Sequence, residues 1–328
     1  MSATELPAGE KKPPRASRIG RIADYLSEMF PLAIQVPGGI AAFGALYFTL
    51  QALGGAETLL VPWRAWLGAA TVVLITLLLR VYDELKDVET DLRLGRAGDP
   101  RYRDRAIVTG HIRPDDLEAL RWAVTVLLVA INAPLGLPWP GIAFVALFGV
   151  TWLSYKWFFW PAIRSNLLLA FLTHNPMTLL VVAYVAALYV HDFGAAGLSG
   201  DAVWLALAFW LPMAAWETSR KVRIPDDETD YQTYSKLLGW RVAGALPGVF
   251  AAGGALSTIA VAHRAGLSWV LMAIVAAAAG AFIAACIRFL LRPSTASSKL
   301  KPYSEIYMIA ATVGLMVANL IEYGVTLV

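Results

Sequence analysis

Eight stretches of the chain contain no Asp, Glu, Lys or Arg: 29–56, 65–79, 122–155, 165–190, 202–216, 242–262, 265–287 and 306–321. About 20 apolar residues cross the hydrocarbon core of a bilayer. Stretch 122–155 is too long for one crossing, and Pro134-Leu-Gly-Leu-Pro-Trp-Pro140 divides it. The pattern therefore predicts nine spans, near 31–53, 63–82, 117–136, 139–159, 165–190, 202–219, 239–262, 268–290 and 303–327. Each is expected to be a helix, because in lipid the backbone must satisfy its own hydrogen bonds. Before them, Ile19, Ile22, Leu26 and Phe30 recur at helical spacing, with Arg18, Arg21, Asp24 and Glu28 on other faces. Residues 18–30 thus read as an amphipathic helix in the membrane interface, or as an extension of the first span. Residues 1–17 are polar, contain Pro13-Pro14 and are expected to be disordered. They lack the apolar core of a signal peptide. Residues 31–328 form one nine-helix membrane domain in this reading.

Composition agrees. The 328 residues are 58% hydrophobic and 16% charged, against about 45–50% and about 25% in soluble proteins. A soluble globular domain and a disordered chain are both excluded. A single cysteine, Cys286, leaves no disulfide framework and no multi-cysteine metal site. A net charge of +3 gives no basis for nucleic-acid binding. With the N-terminus in the cytoplasm, 25 of the 27 Lys and Arg residues fall on the cytoplasmic side, and only Arg64 and Arg264 do not. The positive-inside rule fixes that orientation, and an odd number of spans sends the C-terminus outside a plasma or inner membrane.

Two connections are dense in charge, and each follows an even-numbered span. The first carries Asp83, Asp87 and Asp91 at spacing four, which keeps them within one stripe of a helix. Three carboxylates on one stripe repel each other. A Mg²⁺ ion reverses that, since it takes one or two carboxylates with waters and substrate phosphate oxygens. The alternative is a solvated helix end neutralised by Lys86 and Arg93. The second cap runs from Trp216 through Glu217, Arg220, Lys221, Arg223, Pro225, Asp226, Asp227 and Glu228 to Gly239. Two such caps suggest two related halves around a central cavity.

These residues resemble the UbiA superfamily of intramembrane prenyltransferases. Asp83-x-x-x-Asp87-x-x-x-Asp91 is similar to the family's N-x-x-x-D-x-x-x-D motif, with Asp in place of Asn. Arg105-Ala-Ile107-Val-Thr-Gly110-His-Ile112 resembles the R-P-[LI]-x-x-G-x-[IV] element. Lys156 and Arg164 fall where the family keeps basic residues, and Thr233-Tyr-Ser-Lys236-Leu-Leu-Gly239 resembles the tail of the second motif. The second motif departs from D-x-x-x-D-x-x-x-D. Glu217 is followed by Lys221 and Pro225, so the central acid is a base, and Asp226, Asp227 or Glu228 is left to supply the last acid. Lys221 either repels a second metal ion or replaces it by contacting phosphate directly.

The resemblance implies an all-α, nine-helix fold around a central cavity. It implies transfer of an isoprenyl group from a prenyl diphosphate to a lipophilic or aromatic acceptor. It makes Asp83, Asp87 and Asp91 Mg²⁺ ligands, and Glu217 and Asp227 the acids of the second cap. Lys86, Arg93, Arg105, Lys156, Arg164, Arg220, Lys221 and Arg223 are the expected diphosphate contacts. Tyr155 belongs to an aromatic cluster, Trp152 to Trp160, that either lines the cavity or forms an interfacial belt. His174 and Asn175 lie at membrane depth before Pro176. They either bind acceptor, serve as base, or satisfy a proline break. A terpene cyclase or diphosphate lyase, and a non-enzymatic lipid transporter or binding protein, are the alternatives on the same scaffold.

Overall fold

The computed structural model describes residues 17–100, 102–136, 138–229 and 231–328. The N-terminal tail, apart from Ser17, lies outside the described residues, as do Arg101, Leu137 and Asp230. The helices are α1 (Arg18–Met29), α2 (Leu32–Leu53), α3 (Trp63–Arg96), α4 (Ala106–Thr109), α5 (Pro114–Asn132), α6 (Trp139–Tyr155) and α7 (Ala162–Ser165). They continue as α8 (Leu167–His174), α9 (Met177–Phe193), α10 (Asp201–Ser219), α11 (Tyr234–Leu238), α12 (Trp240–Arg264), α13 (Trp269–Leu291) and α14 (Lys301–Tyr323).

The chain is an all-α, multi-pass membrane protein. Among the described residues, seven helical segments are long and apolar enough to cross a membrane. They are Leu32–Leu53, Trp63–Arg96, Pro114–Leu135, Leu167–Phe193, Trp240–Arg264, Trp269–Leu291 and Lys301–Tyr323. The other two expected spans are also helices. α6 is shorter, at 17 residues, and in α10 three tryptophans, Pro212, Asp201 and Glu217 dilute the apolar run. Large apolar side chains such as Leu256, Trp269 and Ile321 stand exposed on α12, α13 and α14, as a surface meeting hydrocarbon requires.

Three boundaries differ from expectation. α3 has 34 residues, about 51 Å at 1.5 Å per residue. That exceeds the roughly 30 Å hydrocarbon core, so the helix carries its acidic stripe well past its apolar stretch. The fifth span is broken between α8 and α9 at Asn175-Pro176, where proline removes a backbone donor. The ninth ends at Gly324, in the left-handed region at φ +62°. Strand β2 (Val325–Leu327) then pairs in parallel with β1 (Leu59–Val61). Three-residue strands carry too little alternation to be read from sequence.

The described residues divide into two compact units, 17–35 with 76–127, and 36–75 with 128–328. In the first, the Ser17 side chain caps α1 by accepting from the Gly20 N–H. The buried side of α1 is Gly20, Arg21 and Tyr25, while Ile19 is 82% exposed. Arg21 is therefore not on a solvent face. Its Nε and Nη2 donate to the buried Asp116 carboxylate at 2.7 and 2.8 Å.

In the second unit, small residues let helices approach closely. A Cβ on Gly254 of α12 would lie 2.5 Å from the Tyr307 hydroxyl and 3.0 Å from Pro212. Buried polar side chains find one another. Asn132 donates to Thr71 Oγ1 at 2.9 Å and accepts from the Tyr184 hydroxyl at 2.8 Å. Asp192 accepts from the Tyr47 hydroxyl at 2.6 Å and pairs with Arg64 at 3.4 Å.

Candidate functional site

The first cap is the polar end of α3, beyond its membrane-spanning part. Helical spacing keeps Asp83, Asp87 and Asp91 on one stripe, but their surroundings differ. Asp83 is exposed and pairs with Lys86 Nζ at 2.8 Å. Asp87 reaches the surface, yet desolvation, followed by the negative charges of Asp91 and Asp83, holds its carboxyl above the usual range. Asp91 is buried, and Arg105 Nη1 donates to both of its oxygens. Packing brings that arginine in. Gly95 leaves room for Val108 of α4, whose methyls would lie 2.6 Å from an added Cβ. Arg105 immediately precedes α4, and its guanidinium also lies 4.5 Å from the Tyr102 ring. Glu84 is paired with Arg80, and Arg93 is exposed.

Among the described residues, no three His, Cys, Asp or Glu side chains are close enough together to hold a metal ion. Mg²⁺ does not require three, since waters and phosphate oxygens complete its octahedron. Asp87, strained by its neighbours' charge, and the exposed Asp83 have the chemistry to take such an ion. The structure gives Asp91 to Arg105 instead.

In the second unit, the connection after α6 carries Lys156, whose Nζ lies 4.3 Å from the Tyr155 ring. Trp157, Phe158 and Phe159 follow with φ of 50°, 52° and 53°. Three successive bulky residues in the left-handed region store strain, at about 1–2 kcal/mol each. Their rings pack rather than float: His174 meets Trp157 and Phe158 edge-on at 5.6 and 5.5 Å, and Phe159 meets Trp152 at 5.8 Å. His174 Nδ1 lies 3.0 Å from both Thr173 Oγ1 and the Ala170 carbonyl. Asn175 is buried and accepts from Trp210 Nε1 at 2.7 Å. The pair thus secures the helix break to a neighbouring ring and to α10. Arg164 is exposed.

The second cap closes on itself. The Lys221 carbonyl accepts from the Tyr234 N–H at 3.0 Å, and the Arg223 N–H donates to Ser235 Oγ at 2.8 Å. Glu217 faces bases: Lys221 Nζ at 2.8 Å and Arg220 Nε at 3.6 Å. Glu228 lies against Thr233, whose hydroxyl is 2.7 and 2.8 Å from its two oxygens. Asp226 and Asp227 form a short turn, and Arg223 Nη1 reaches Thr229 Oγ1 at 3.1 Å. Gln232 donates to the Ser165 carbonyl at 2.8 Å, which joins this cap to the connection bearing Lys156 and Arg164. Trp216 Nε1 meets Glu305 at the start of α14 at 3.4 Å.

Tyr234 is a residue that sequence reasoning passed over. Its ring lies 5.9 Å from Lys221 Nζ and 6.1 Å from the Phe171 ring. The available signal was its place beside Thr233, which caps α11 by accepting from the Lys236 N–H at 3.0 Å.

No family model matches the chain, and no curated protein matches it in sequence. Solved structures do match in fold. A UbiA homologue from Aeropyrum pernix K1 superposes with a TM-score of 0.61 at 17% identity, over 87% of this chain and 98% of that one. A digeranylgeranylglyceryl phosphate synthase superposes with a TM-score of 0.57 at 13% identity, over 91% and 98%. The chain shares its fold with these two proteins.

Proposed function

We propose that this protein is an intramembrane prenyltransferase, moving an isoprenyl group from a prenyl diphosphate to a lipophilic or aromatic acceptor in the presence of Mg²⁺. The observation that carries the reading is the acidic stripe on the long helix α3, where desolvation and then the charges of Asp91 and Asp83 hold the Asp87 carboxyl above its usual range, a burden that a cation would relieve. The fold adds support, since one protein that shares it is a digeranylgeranylglyceryl phosphate synthase. In this reading the N-terminus is cytoplasmic and the C-terminus outside, as the basic residues are distributed.

Asp83 and Asp87 would hold Mg²⁺, and Arg105 positions the stripe through Asp91. The ion would supply positive charge against the departing diphosphate. Lys86, in the same unit as the stripe, stabilises the diphosphate's charge electrostatically, and Lys156, Arg164, Arg220, Lys221 and Arg223 are the second unit's own candidates for contacting phosphate. Aromatic faces such as Tyr155, Trp157 and Phe158 favour an allylic cation over bulk water.

The test is mass spectrometry of products after the reconstituted protein is incubated with prenyl diphosphates of several lengths and a lipid extract, with Mg²⁺ or with EDTA. A prenylated acceptor with pyrophosphate released, only with Mg²⁺, is the expected result. Pyrophosphate release without an acceptor adduct identifies a cyclase or lyase. No release at any chain length removes the enzymatic reading.

A further inference from the structure

The second cap contains a lysine held like a tool rather than spread on a surface. Lys221 keeps 15% of its side-chain exposure and is fixed at both ends: its carbonyl by Tyr234 and its Nζ by Glu217 at 2.8 Å. The remaining acids nearby do not form a metal site. Glu217 is taken by Lys221 and Arg220, and Glu228 by Thr233. Asp226 and Asp227 sit on the outer turn. Among the described residues no acidic group gathers there to hold a cation. Tyr234, whose ring centre lies 5.9 Å from Lys221 Nζ, carries an unused donor. Tyr234 is 1% exposed, and its buried hydroxyl has no hydrogen-bond partner among the described residues.

A buried hydroxyl left without a partner costs about 1–3 kcal/mol. A water or a ligand oxygen would supply the missing acceptor. Burial, and then the charge of Glu217, keep the phenol well above its usual acidity range. It therefore stays protonated at neutral pH and can donate to an anion. The Glu217 carboxylate is only an accessible placeholder on Lys221, with about a fifth of its side chain exposed (22%). A phosphate oxygen, which carries more charge, competes for the same ammonium.

We propose that Lys221 and Tyr234 form a phosphate-binding site that works without a metal ion, with Glu217 as the resident counter-ion that a diphosphate oxygen displaces. The inference rests on the diphosphate reading above and adds to it a ligand, Tyr234, and a positioning role for Glu217. Lys221 donates from Nζ to the phosphate, Tyr234 donates from its hydroxyl, and Glu217 turns to Arg220, which it already approaches at 3.6 Å.

The test is calorimetric titration of the full chain in nanodiscs with inorganic pyrophosphate, in EDTA and in Mg²⁺. The wild type binds pyrophosphate in EDTA. Lys221→Met weakens that metal-free binding by about tenfold, the worth of one charge-assisted hydrogen bond. Tyr234→Phe, which removes a hydroxyl that bonds nothing and so keeps the fold, weakens it by about threefold or more. Lys221→Asp loses binding in EDTA and regains it in Mg²⁺, a switch in metal dependence that a purely structural lysine would not produce. Binding by the wild type in Mg²⁺ but not in EDTA overturns the proposal and leaves the diphosphate reading standing. So does EDTA binding that neither Lys221→Met nor Tyr234→Phe changes. Absence of binding in either condition removes the diphosphate reading itself.

Discussion

Arg105 closes on Asp91, and a single nitrogen of the guanidinium serves both oxygens of the buried carboxylate. Asp91 is thereby a strut between α3 and the turn that begins α4, and its two stripe companions are left for other chemistry. Asp91→Asn should lower stability by about 2 kcal/mol. That is below the 3–5 kcal/mol of a fully buried pair, because Arg105 is almost half exposed. Chemical unfolding in detergent checks it. A loss of turnover with full stability would instead make Asp91 a ligand.

Asp87 should behave in the opposite way. Its carboxyl is held above the usual range by desolvation and by the charges of Asp91 and Asp83. A raised carboxylate adds stability below its unfolded pKa, near 3.9, and that contribution is lost as pH rises through the folded value. At neutral pH, without metal, the charge is therefore a burden. Asp87→Asn should raise the melting temperature in EDTA above that of the wild type. Mg²⁺ should raise the melting temperature of the wild type and leave the variant unmoved. If the ion stabilises both equally, Asp87 does not hold it.

Asp116 sits at the start of α5, where it also accepts the Arg113 N–H at 3.1 Å. The hydrogen bonds from Arg21 hold its carboxyl below the usual range, burial opposes them, and the Arg113 amide assists. A lowered carboxylate contributes stability above the unfolded pKa, near 3.9, and loses it as pH falls through the folded value. The wild type should lose melting temperature from about pH 4 downward. Asp116→Asn should start lower at pH 7 and show a shallower decline. A parallel decline in both proteins would detach α1 from this pair.

Tyr184, Asn132 and Thr71 test how much polar groups hold helices together in the second unit. Tyr184→Phe leaves Asn132 Oδ1 without its donor. Thr71→Val leaves Asn132 Nδ2 still bonded to the Leu128 carbonyl at 2.9 Å. Tyr184→Phe should cost about 1 kcal/mol and Thr71→Val about half that, within the range for membrane helices. Unfolding in mixed micelles gives the order, and a reversal would mean that Thr71 carries the network.

The spans were legible because lipid forbids charge over about 20 residues, and that absence is visible without any partner. The acidic stripe was legible because spacing four is local to one helix. What escaped depends on distant partners. Asp192 draws Tyr47 and Arg64 from 145 and 128 residues away, and nothing local marks them. A charge argument was available, however. The two arginines outside the basic connections, Arg64 and Arg264, each meet a lone aspartate, Asp192 at 3.4 Å and Asp201 at 3.8 Å. The burial of Arg21 also escaped, because helical spacing assigns a charged residue to the wet face and cannot see Asp116. In the second cap the sequence shows Lys221 where an acid is expected, but only packing shows Tyr234 beside it with its hydroxyl unmet.

The left-handed turn after α6 yields an inverted glycine effect. In most positions glycine is less stable than alanine, because the unfolded chain has more freedom to lose. Phe158, at φ 52° and ψ 27°, is where that order should reverse. Phe158→Ala and Phe158→Gly both lose the edge contact with His174 at 5.5 Å. Only glycine also removes the steric penalty of a Cβ in this region, about 1–2 kcal/mol. Phe158→Gly should therefore be more stable than Phe158→Ala by about 1 kcal/mol, while both fall below the wild type if the ring contact outweighs the strain. Thermal unfolding of the three proteins in one detergent decides it. Alanine equal to or above glycine would mean that the turn does not hold residue 158 left-handed, and the packing of His174 against two strained rings would need another origin.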